Sequence, residues 1–325
     1  MTSIPMVVDV DTGVDDALAL LYACASPEIE LLGVTCVSGN VHRDLAARNS
    51  LHVLGLAGRD DVQVALGAEA PLRRPITFYE YVHGPEGVGD AQVAAPSRPF
   101  ADGHAADLLI ERVRARPGEV TLVTLGPMTN LAIALEREPR LPSMVKRFVF
   151  MGGAFRHPGN VTPSAEANVY MDPEAAEQVL TAFGADDAMS ARPVGVGLDV
   201  TELVTLHQQD LDAICDARED SALARFIRDA VTFYMGFYRS WHGSNGATMH
   251  DPLALAVAVD PSLVRTEPVT VEVEVSGDHT TGATVADWNR VWKRRPNLDV
   301  AVEVDAPAFL SRFIGRLAGL VARSR

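Results

Sequence analysis

The sequence predicts an α/β fold: a mostly parallel sheet wrapped by helices, in an open Rossmann-like arrangement, with a small antiparallel side element. Two observations carry this prediction. Short apolar runs typical of buried strands alternate with helix-like runs over the first 200 residues. These apolar runs end at glycine, proline or polar residues, so polar side chains collect at the strand ends. Because open α/β sheets bind ligands beyond the carboxyl ends of their strands, we expect the active site there.

The first half of the chain alternates most clearly. Residues 6–8 form a short apolar run bounded by acids, which indicates a buried strand, and residues 17–22 follow as a helix with an aspartate at its cap. The same criteria predict strands over 29–37, 62–66 and 120–125 and helices over 44–56, 104–114 and 129–137. Residues 67–102 form a polar loop, and a loop of that length is usually functional or mobile.

The second half adds strands over 147–151 and 194–200 and a long helical region over 221–241. Asp172-Pro173-Glu174 opens a helix with a side-chain cap, proline in the first turn and an acid beside it, and that helix stops at Gly184. His250-Asp251-Pro252 opens another helix. Residues 270–275 alternate strictly between polar and apolar, which predicts a half-exposed strand in an antiparallel edge or small side sheet.

Composition excludes several classes of partner. The chain has 325 residues, 47% of them hydrophobic, and no linker or repeat divides it, so we predict one domain over residues 1–325. A net charge of −15 argues against a nucleic-acid or anionic-membrane surface. No apolar run approaches the length that spans a bilayer.

The compartment is predicted from the N-terminus and the cysteines. The chain enters a strand within a few residues, which leaves no room for a signal peptide. Cys24, Cys36 and Cys215 are odd in number, widely spaced and set in apolar surroundings, so we expect reduced thiols. These features favour a cytoplasmic protein.

The tract Asp9-Val10-Asp11-Thr12-Gly13-Val14-Asp15-Asp16 places four carboxylates within eight residues at the end of the first strand. Two unit charges about 4 Å apart repel by roughly 4 kcal/mol at an effective dielectric near 20. A helix N-terminus offsets about 1 kcal/mol of that repulsion. We therefore expect a cation, and oxygen-only ligands favour calcium or magnesium.

Other polar groups follow later strands, each with a plainer interpretation that stays open. Asp15, Asp16 and Asp251 could simply cap helices. Glu166 and Asn168 could belong to a surface loop, and His250 could be structural. The remaining polar stretches at strand ends are Ser38-Gly39-Asn40, Leu125-Gly126-Pro127-Met128-Thr129-Asn130, Met151-Gly152-Gly153 and residues 160–168.

Two metal-motif templates fit the acidic tract poorly. An EF-hand loop starting at Asp9 would need a ligand at Gly13, glycine at Val14 and glutamate at Leu20, so that template fails. The haloacid-dehalogenase-type phosphatases share an Asp-x-Asp pair, but they carry Thr or Val where this chain has Gly13.

The chain resembles the nucleoside hydrolase family (inosine-uridine preferring and related ribohydrolases). The family signature Asp-x-Asp-Pro-Gly-x-Asp-Asp is similar to residues 9–16, with Thr12 in place of proline. The resemblance continues, in order and over nearly the whole chain, at Gly39-Asn40-Val41, His83-Gly84, Gly126-Pro127-Met128-Thr129-Asn130, Met151-Gly152-Gly153, Gly159-Asn160-Val161-Thr162, Glu166-x-Asn168, Asp172-Pro173-Glu174-Ala175-Ala176, His250-Asp251-Pro252, Pro296-Asn297, Asp305 and Phe309.

The resemblance implies a calcium-dependent nucleoside N-ribohydrolase that releases free base and ribose. Ca²⁺ would be held by Asp11, Asp16, Asp251 and the backbone carbonyl of Leu125, with Asp11 also the general base toward water. Attack at C1′ would pass through an oxocarbenium-like transition state. The residues implied to hold the ribose are Asp15, Asn40, Asn160, Glu166 and Asn168, with Met151 against the sugar.

Activation of the leaving base is less defined. The resemblance links His250 to protonation of the base and places His83, a second candidate catalytic histidine, at the mouth of the site. Tyr234 and Tyr238 share one helical face in the segment that covers the base, but core packing is an equal alternative. Trp241 could stack on a purine, so purine and pyrimidine preference both stay open.

The expected role of such a hydrolase is nucleoside salvage. Two alternative functions stay open. A magnesium phosphohydrolase built on Asp9 and Asp11 would require basic residues near the strand ends, which are instead acidic or amide-rich. A non-catalytic ribonucleoside-binding protein would keep the pocket without needing the full catalytic set. The expected partner is a small-molecule ribonucleoside, with no nucleic acid and no membrane, and the family suggests a homodimer or homotetramer.

Overall fold

The computed structural model describes residues 3–96, 98–185, 189 and 191–324. The strands are β1 Ile4–Val10, β2 Ile29–Cys36, β3 Val64–Leu66, β4 Thr121–Thr124, β5 Arg147–Met151, β6 Val194–Val196, β7 Thr205–His207, β8 Gly246–Thr248, β9 Val264–Val269, β10 Val271–Val273, β11 Thr284–Ala286 and β12 Leu298–Val304. The helices are α1 Val14–Ala25, α2 Arg43–Leu56, α3 Glu80–His83, α4 Ala105–Ala115, α5 Thr129–Arg137, α6 Leu141–Met144, α7 Ala167–Met171, α8 Pro173–Ala185, α9 Leu198–Thr201, α10 Gln208–Cys215, α11 Ala222–His242, α12 His250–Val259 and α13 Ala306–Arg323.

A central eight-stranded sheet organises the described residues, in the order β3-β2-β1-β4-β5-β6-β12-β9. The pairs from β3 to β12 are parallel, and β9 closes one edge antiparallel to β12. Two small antiparallel sheets, β7 with β8 and β10 with β11, lie outside it. The predicted α/β class is confirmed, and so is the side element over 270–275, which contains β10.

Side chains alternate between the two faces of the sheet, as the period of a strand requires. Met6 and Val8 of β1 pack with α1, α2, α11, α12 and α13, whereas Val7 packs on the opposite face with α4, α5 and α8. In β5, Val149 joins the first core and Phe148 the second. Both faces are therefore covered by helices, which explains why these strands are continuous apolar runs.

The helix start predicted at Asp172 is present and is buried. Asp172 Oδ1 accepts a hydrogen bond from the backbone N–H of Ala175 at 3.0 Å, within the first turn of α8. Its Oδ2 accepts from the Thr129 hydroxyl at 2.7 Å and from the backbone N–H of Leu72 at 2.9 Å. One carboxylate thus caps α8 and also ties α5 and the 67–102 loop to it.

The predicted strand 194–200 is wrong beyond Val196. The chain turns at Gly197, where an added Cβ would lie 2.6 Å from the carbonyl oxygen of Gly153, and then forms α9. Asp199 in α9 accepts hydrogen bonds from the backbone N–H groups of Phe155 and Arg156 at 2.9 and 2.6 Å. These distant contacts select a helical turn for an apolar run whose pattern alone cannot separate strand from helix.

Other expectations concern the ends of elements and the cysteines. Helix α5 and strand β5 have the predicted bounds, and the other predicted strands and helices are present with bounds shifted by a few residues. The elements without a predicted counterpart are β7, β8, β9, β11, β12, α3, α6, α7, α10 and α13. The three cysteines are free thiols, as expected.

A helix that spans a bilayer must be both long and apolar. None of the described helices is long and apolar enough to cross a membrane.

Candidate active site

The site forms where four neighbouring parallel strands end. β2, β1, β4 and β5 lie side by side, so the residues after them meet at one edge of the sheet. Asp11 follows β1, Asn40 follows β2, Leu125 follows β4, and Met151 ends β5. The start of α12, which packs against α1 and β5, brings Asp251 to the same edge from far along the chain.

Three carboxylates converge at the start of α1. One oxygen each from Asp15, Asp16 and Asp251 lies within 4.8 Å of the others, and all three side chains are buried. Asp16 is held in place: its Oδ2 accepts from the backbone N–H of Gly13 at 2.8 Å and from Asn40 Nδ2 at 3.2 Å. The sequence assigned Asp15 to ribose, but here Asp15 also belongs to the acidic cluster.

Asp11 lies next to this cluster at the tip of β1. Its backbone N–H donates to Asp16 Oδ1 at 3.2 Å, and its Oδ2 accepts from the backbone N–H of Asn40 at 2.6 Å. Its Oδ1 is buried and has no hydrogen-bond partner. The backbone approaches closely on two sides, because a Cβ added at Gly39 or Gly126 would lie 2.1 or 2.7 Å from an Asp11 oxygen.

Asp9 lies within β1, two residues before Asp11, and supports this arrangement. Its Oδ1 accepts hydrogen bonds from the Thr35 hydroxyl and, at 2.8 Å, from Asn130 Nδ2. Burial raises the pKa of Asp9 to about 7, against the lowering effect of these two donors. Asp9 therefore links β1 to β2 and to α5 rather than facing the cavity.

The acidic cluster is electrostatically incomplete. Desolvation is the main cause that raises the pKa of Asp11, Asp16 and Asp251. Desolvation, followed by repulsion from Asp16, raises the pKa of Asp15 to about 8. A divalent cation would remove the penalty of ionising these groups together. The donors are all oxygens and one Asp11 oxygen lacks a partner, so the residues fit a calcium or magnesium ion.

The opposite wall is built by the segment after β5. Glu166 caps α7 and is buried; its oxygens accept from the backbone N–H groups of Asn168, Val169 and Gly153 at 2.8, 3.1 and 2.8 Å. Asn168 Nδ2 donates to the carbonyl oxygen of Leu125 at 2.7 Å. The Leu125 carbonyl, which the resemblance implies is a metal ligand, is thus held beside this segment. The surface-loop interpretation of Glu166 is wrong, because its side chain is buried.

Two further proposed ribose contacts complete that wall. Asn168 Nδ2 also lies 3.3 Å from the Met151 carbonyl oxygen and 3.3 Å from Met151 Sδ. Asn160 Oδ1 accepts from the backbone N–H of Ala167 at 3.0 Å. Both contacts fix the loop that follows β5 against the cavity.

His83 lies on α3, within the long 67–102 loop. Its Nδ1 accepts from the backbone N–H of Val14 at 3.2 Å, and its ring stacks on Tyr234 at 5.4 Å. Burial, with a smaller effect from His250, lowers the pKa of His83 to about 3. His83 is therefore a neutral imidazole whose Nε2–H is the proton donor on the side away from α1.

Both ring nitrogens of His250 are hydrogen-bonded to hydroxyl groups. Nδ1 lies 2.8 Å from the Thr201 hydroxyl, and Nε2 lies 2.8 Å from the Tyr238 hydroxyl. The Tyr238 hydroxyl is also 3.4 Å from that of Tyr234. Burial lowers the pKa of His250 and raises that of Tyr238, so both groups are neutral near pH 7.

These walls line a cavity that is partly open to solvent. It is lined by Asp15, Asn40, Tyr79, Tyr81, Val82, His83, Leu125, Met151, Asn160, Val161, Glu166, Ala167, Asn168, Glu202, Tyr234, Phe237, Tyr238, His242, His250 and Asp251. Among the proposed site residues, Asp11 and Asp16 lie in the fully buried floor. Trp241 is not in the lining: it is 67% exposed and packs on Tyr81 with ring centroids 5.3 Å apart.

Several lining residues have no counterpart among the sequence predictions. Tyr79, Tyr81 and Val82 belong to the loop whose length alone suggested a function. Phe237 lies on α11 among the predicted aromatic residues. Glu202 follows α9, where the sequence predicted strand, so no local signal indicated it.

The chain is similar to known proteins over nearly its whole length. A family model described as inosine-uridine preferring nucleoside hydrolase matches residues 6–311. Uridine nucleosidase 1 of Arabidopsis thaliana is 38% identical over 94% of this chain and 90% of that protein. Pyrimidine-specific ribonucleoside hydrolase RihA of Salmonella typhi is 36% identical over 97% of this chain and 98% of that protein. Among solved structures, a purine-preferring ribonucleoside hydrolase from Gardnerella vaginalis superposes with a TM-score of 0.91 at 36% identity, covering 98% of this chain and 99% of that one.

Proposed function

The chain belongs to the inosine-uridine preferring nucleoside hydrolase family, and from this premise we propose that it hydrolyses ribonucleosides with a calcium ion, in nucleoside salvage. The reaction of a nucleoside hydrolase releases the free base and ribose. One observation carries the calcium proposal: the buried carboxylates of Asp15, Asp16 and Asp251 converge at the cavity, which Asp15 and Asp251 line. We further propose a cytoplasmic homodimer or homotetramer, as the family suggests.

The proposed ligands are Asp11, Asp16, Asp251 and the Leu125 carbonyl, with Asp15 within reach of the same ion. A bound calcium ion would supply Lewis acidity toward water and an anchor for ribose hydroxyls. Asp11 is the proposed general base because its Oδ1 is buried beside the cluster and has no other partner. The backbone N–H of Asn40 holds the other oxygen, so the carboxylate is oriented before substrate binds.

The ribose would lie against Asp15, Asn40, Asn160, Glu166 and Asn168, with Met151 beneath it. Glu166 and Asn168 are positioned by backbone hydrogen bonds, so they need little rearrangement to meet sugar hydroxyls. A sugar that lacks a hydroxyl would forgo the hydrogen bonds that these groups are positioned to make, and a site built to bind a hydroxyl discriminates strongly against an analogue without it. We therefore expect 2′-deoxynucleosides to be poor substrates.

Protonation of the leaving base would involve Tyr238 as well as His250. The Tyr238 hydroxyl is hydrogen-bonded to Nε2 of His250. Tyr238 would donate its hydroxyl proton to the leaving base, and the Nε2–H of neutral His250 would stabilise the tyrosinate oxygen that remains until solvent returns a proton. His83 presents a separate neutral N–H donor at the mouth.

The competing phosphohydrolase lacks support in this cavity. A transferred phosphate needs cationic partners, and no lysine or arginine occurs among the described residues that line the cavity. The acidic floor would also repel it.

The decisive experiment is a panel of ribonucleosides incubated with purified protein, with released base and ribose both quantified. The panel spans uridine, cytidine, inosine, adenosine and guanosine, because relatives named pyrimidine-specific and purine-preferring match this chain at equal 36% identity. Chelation should abolish release, and calcium should restore it better than magnesium. The matched 2′-deoxynucleosides should be hydrolysed at least about 100-fold more slowly.

Three outcomes would contradict the proposal. Release that survives exhaustive chelation would remove the metal from the reaction. Tight nucleoside binding without release would indicate a binding protein. Hydrolysis of a phosphate ester in the same assay would favour the phosphohydrolase.

A further inference from the structure

We propose that Glu202 is a specificity-determining residue that accepts a hydrogen bond from a ring N–H of the nucleobase. Glu202 directly follows α9 and lines the cavity. The proposal rests on the proposed nucleoside hydrolysis, and it names the residue by which the site would favour bases with a ring N–H (uracil, hypoxanthine and guanine) over cytosine and adenine.

The position of Glu202 places it at the base end of the cavity. The residue before it, Thr201, has its hydroxyl 2.8 Å from Nδ1 of His250, whose Nε2 contacts Tyr238. Burial lowers the pKa of His250, and the charge of Glu202 acts in the opposite direction. Burial likewise raises the pKa of Tyr238, and Glu202 adds to that rise. Glu202 therefore lies near enough for its charge to act on both groups proposed to meet the leaving base.

Glu202 differs from the other acids of the cavity in its lack of a hydrogen-bond or ion-pair partner among the described residues. Asp15 and Asp251 belong to the acidic cluster, and Glu166 is satisfied by three backbone N–H groups. Within the described ranges of the chain, the carboxylate of Glu202 makes no hydrogen bond and no ion pair. It is half-buried in the cavity wall, so it keeps hydrogen-bonding capacity that no described protein group uses. A ligand that donates N–H would supply the missing partner.

Nucleobases differ in what they offer at the edge opposite the sugar. Uracil presents N3–H, and hypoxanthine and guanine present N1–H, so each can donate to a carboxylate. Cytosine and adenine carry an unprotonated ring nitrogen at the same place, whose lone pair repels an acceptor. Phe237, Tyr234 and Tyr238 provide aromatic and hydroxyl surface there, and the His242 ring lies 5.5 Å from that of Tyr238. Glu202 is thus the carboxylate that has no partner among the described residues and can separate the two classes by charge.

The test compares Glu202→Gln with wild type on matched pairs, uridine against cytidine and inosine against adenosine. A glutamine amide donates to an unprotonated ring nitrogen and accepts from the neighbouring amino group, so it complements cytosine and adenine. The uridine/cytidine and inosine/adenosine ratios of kcat/KM should each fall by roughly 10- to 100-fold, the worth of a charged hydrogen bond. In wild type, 3-methyluridine should have a much lower kcat/KM than uridine, because its N3 carries no hydrogen. Glu202→Ala should remove most of that difference.

The matched control is Glu136→Gln, which neutralises an exposed carboxylate of α5 away from the cavity and should leave all ratios unchanged. Equal losses on every nucleoside, or unchanged ratios, would overturn the assignment, because a merely structural glutamate does not distinguish bases. The same ratios measured as Kd by calorimetry keep the test independent of turnover. A wild type that binds but does not hydrolyse contradicts the proposed function, while the Kd ratios still decide the role of Glu202.

Discussion

Asp11 is the residue whose surroundings best match a general base. Its Oδ1 is buried without a partner, while the backbone N–H of Asn40 fixes Oδ2. Asp11→Asn keeps the shape and can still accept that hydrogen bond, but the amide cannot take a proton from water. Turnover should fall at least about 100-fold, in the range that general-base catalysis contributes.

Stability separates this catalytic loss from a folding defect. Burial disfavours the charged form of Asp11, so a neutral amide should leave the metal-free protein at least as stable in thermal unfolding. The matched control, Asp102→Asn, changes an exposed aspartate outside the cavity and should affect neither measurement. Turnover by Asp11→Asn within tenfold of wild type would show that another group takes the proton.

His250 and Tyr238 should act as one unit in delivering a proton. Because Nε2 of His250 is hydrogen-bonded to the Tyr238 hydroxyl, His250→Ala and Tyr238→Phe disable the same proton donor. Each should lower kcat by a similar factor, roughly 100-fold, with the largest loss on purine nucleosides, and the double variant should be no slower than the worse single one. Losses that multiply in the double variant would indicate two independent roles.

Residue types and spacing predicted much of this site but not all of it. The tract from Asp9 to Asp16 indicated a cation because its charges are adjacent in sequence, and the cluster of Asp15, Asp16 and Asp251 agrees with that. The hydrogen bond between Tyr238 and His250 could not be predicted, because it joins α11 to α12. Glu202 was missed for the same reason, since only the packed fold brings α9 to the cavity.

At the scale of elements, the loop after β4 positions Asp11, because Gly126 has no side chain to displace it. A Cβ at Gly126 would lie 2.7 Å from Asp11 Oδ1, so Gly126→Ala should push that carboxylate out of place. Displacement of a catalytic group by about 1 Å can cost about 100-fold in rate, and we expect a loss of that order in kcat/KM.

Gly315→Ala is the matched control for the Gly126 variant. Gly315 lies within α13 with open space where the new Cβ would stand, so the change should stabilise the protein by up to about 1 kcal/mol and leave kcat/KM unaltered. Unchanged kcat/KM in Gly126→Ala would mean that the loop yields and that Asp11 does not depend on this contact.

The elements that sequence predicted best are those with a strong local signal. Helix α5 and strand β5 have the predicted bounds, and α8 starts at the predicted Asp172 cap. Strand β6 ends early because Asp199 forms hydrogen bonds with Phe155 and Arg156, a tertiary effect that no local pattern contains. The C-terminal β12 enters the parallel sheet beside β6 and pairs with β9, an arrangement set by long-range pairing.

At the scale of the whole molecule, the fold gathers charges that the chain alone keeps apart. Asp251 lies 235 residues after Asp16 in the sequence, yet their carboxylates meet because α12 packs against α1. Such an arrangement opposes folding when all groups are ionised. Protons or a cation must compensate, and the two should substitute for each other.

The exchange of protons for a cation predicts how the free energy of unfolding depends on pH. Burial raises the pKa of Asp9 to about 7 and of Asp15 to about 8, against an ordinary value of 3.8. The folded metal-free protein therefore holds protons that the unfolded chain has released. Their stabilising contribution is complete below the unfolded pKa near 3.8 and is lost as pH rises through about 7 and 8. Chelated protein should thus be less stable at about pH 8.5 than at about pH 7.

Calcium should reverse this loss, and more strongly at the higher pH, because it needs the carboxylates ionised. The measurement is denaturant unfolding at about pH 7 and about pH 8.5, each with chelator or with calcium. The range from about pH 7 to about pH 8.5 lies above the titration of His83. The pKa of His83 is lowered to about 3, so its effect on the free energy of unfolding stops changing with pH above the ordinary histidine pKa of 6.5. Asp15→Asn should flatten the pH dependence of the chelated protein. A chelated wild type equally stable at both pH values, or a calcium effect independent of pH, would show that these carboxylates are not the groups that couple folding to the ion.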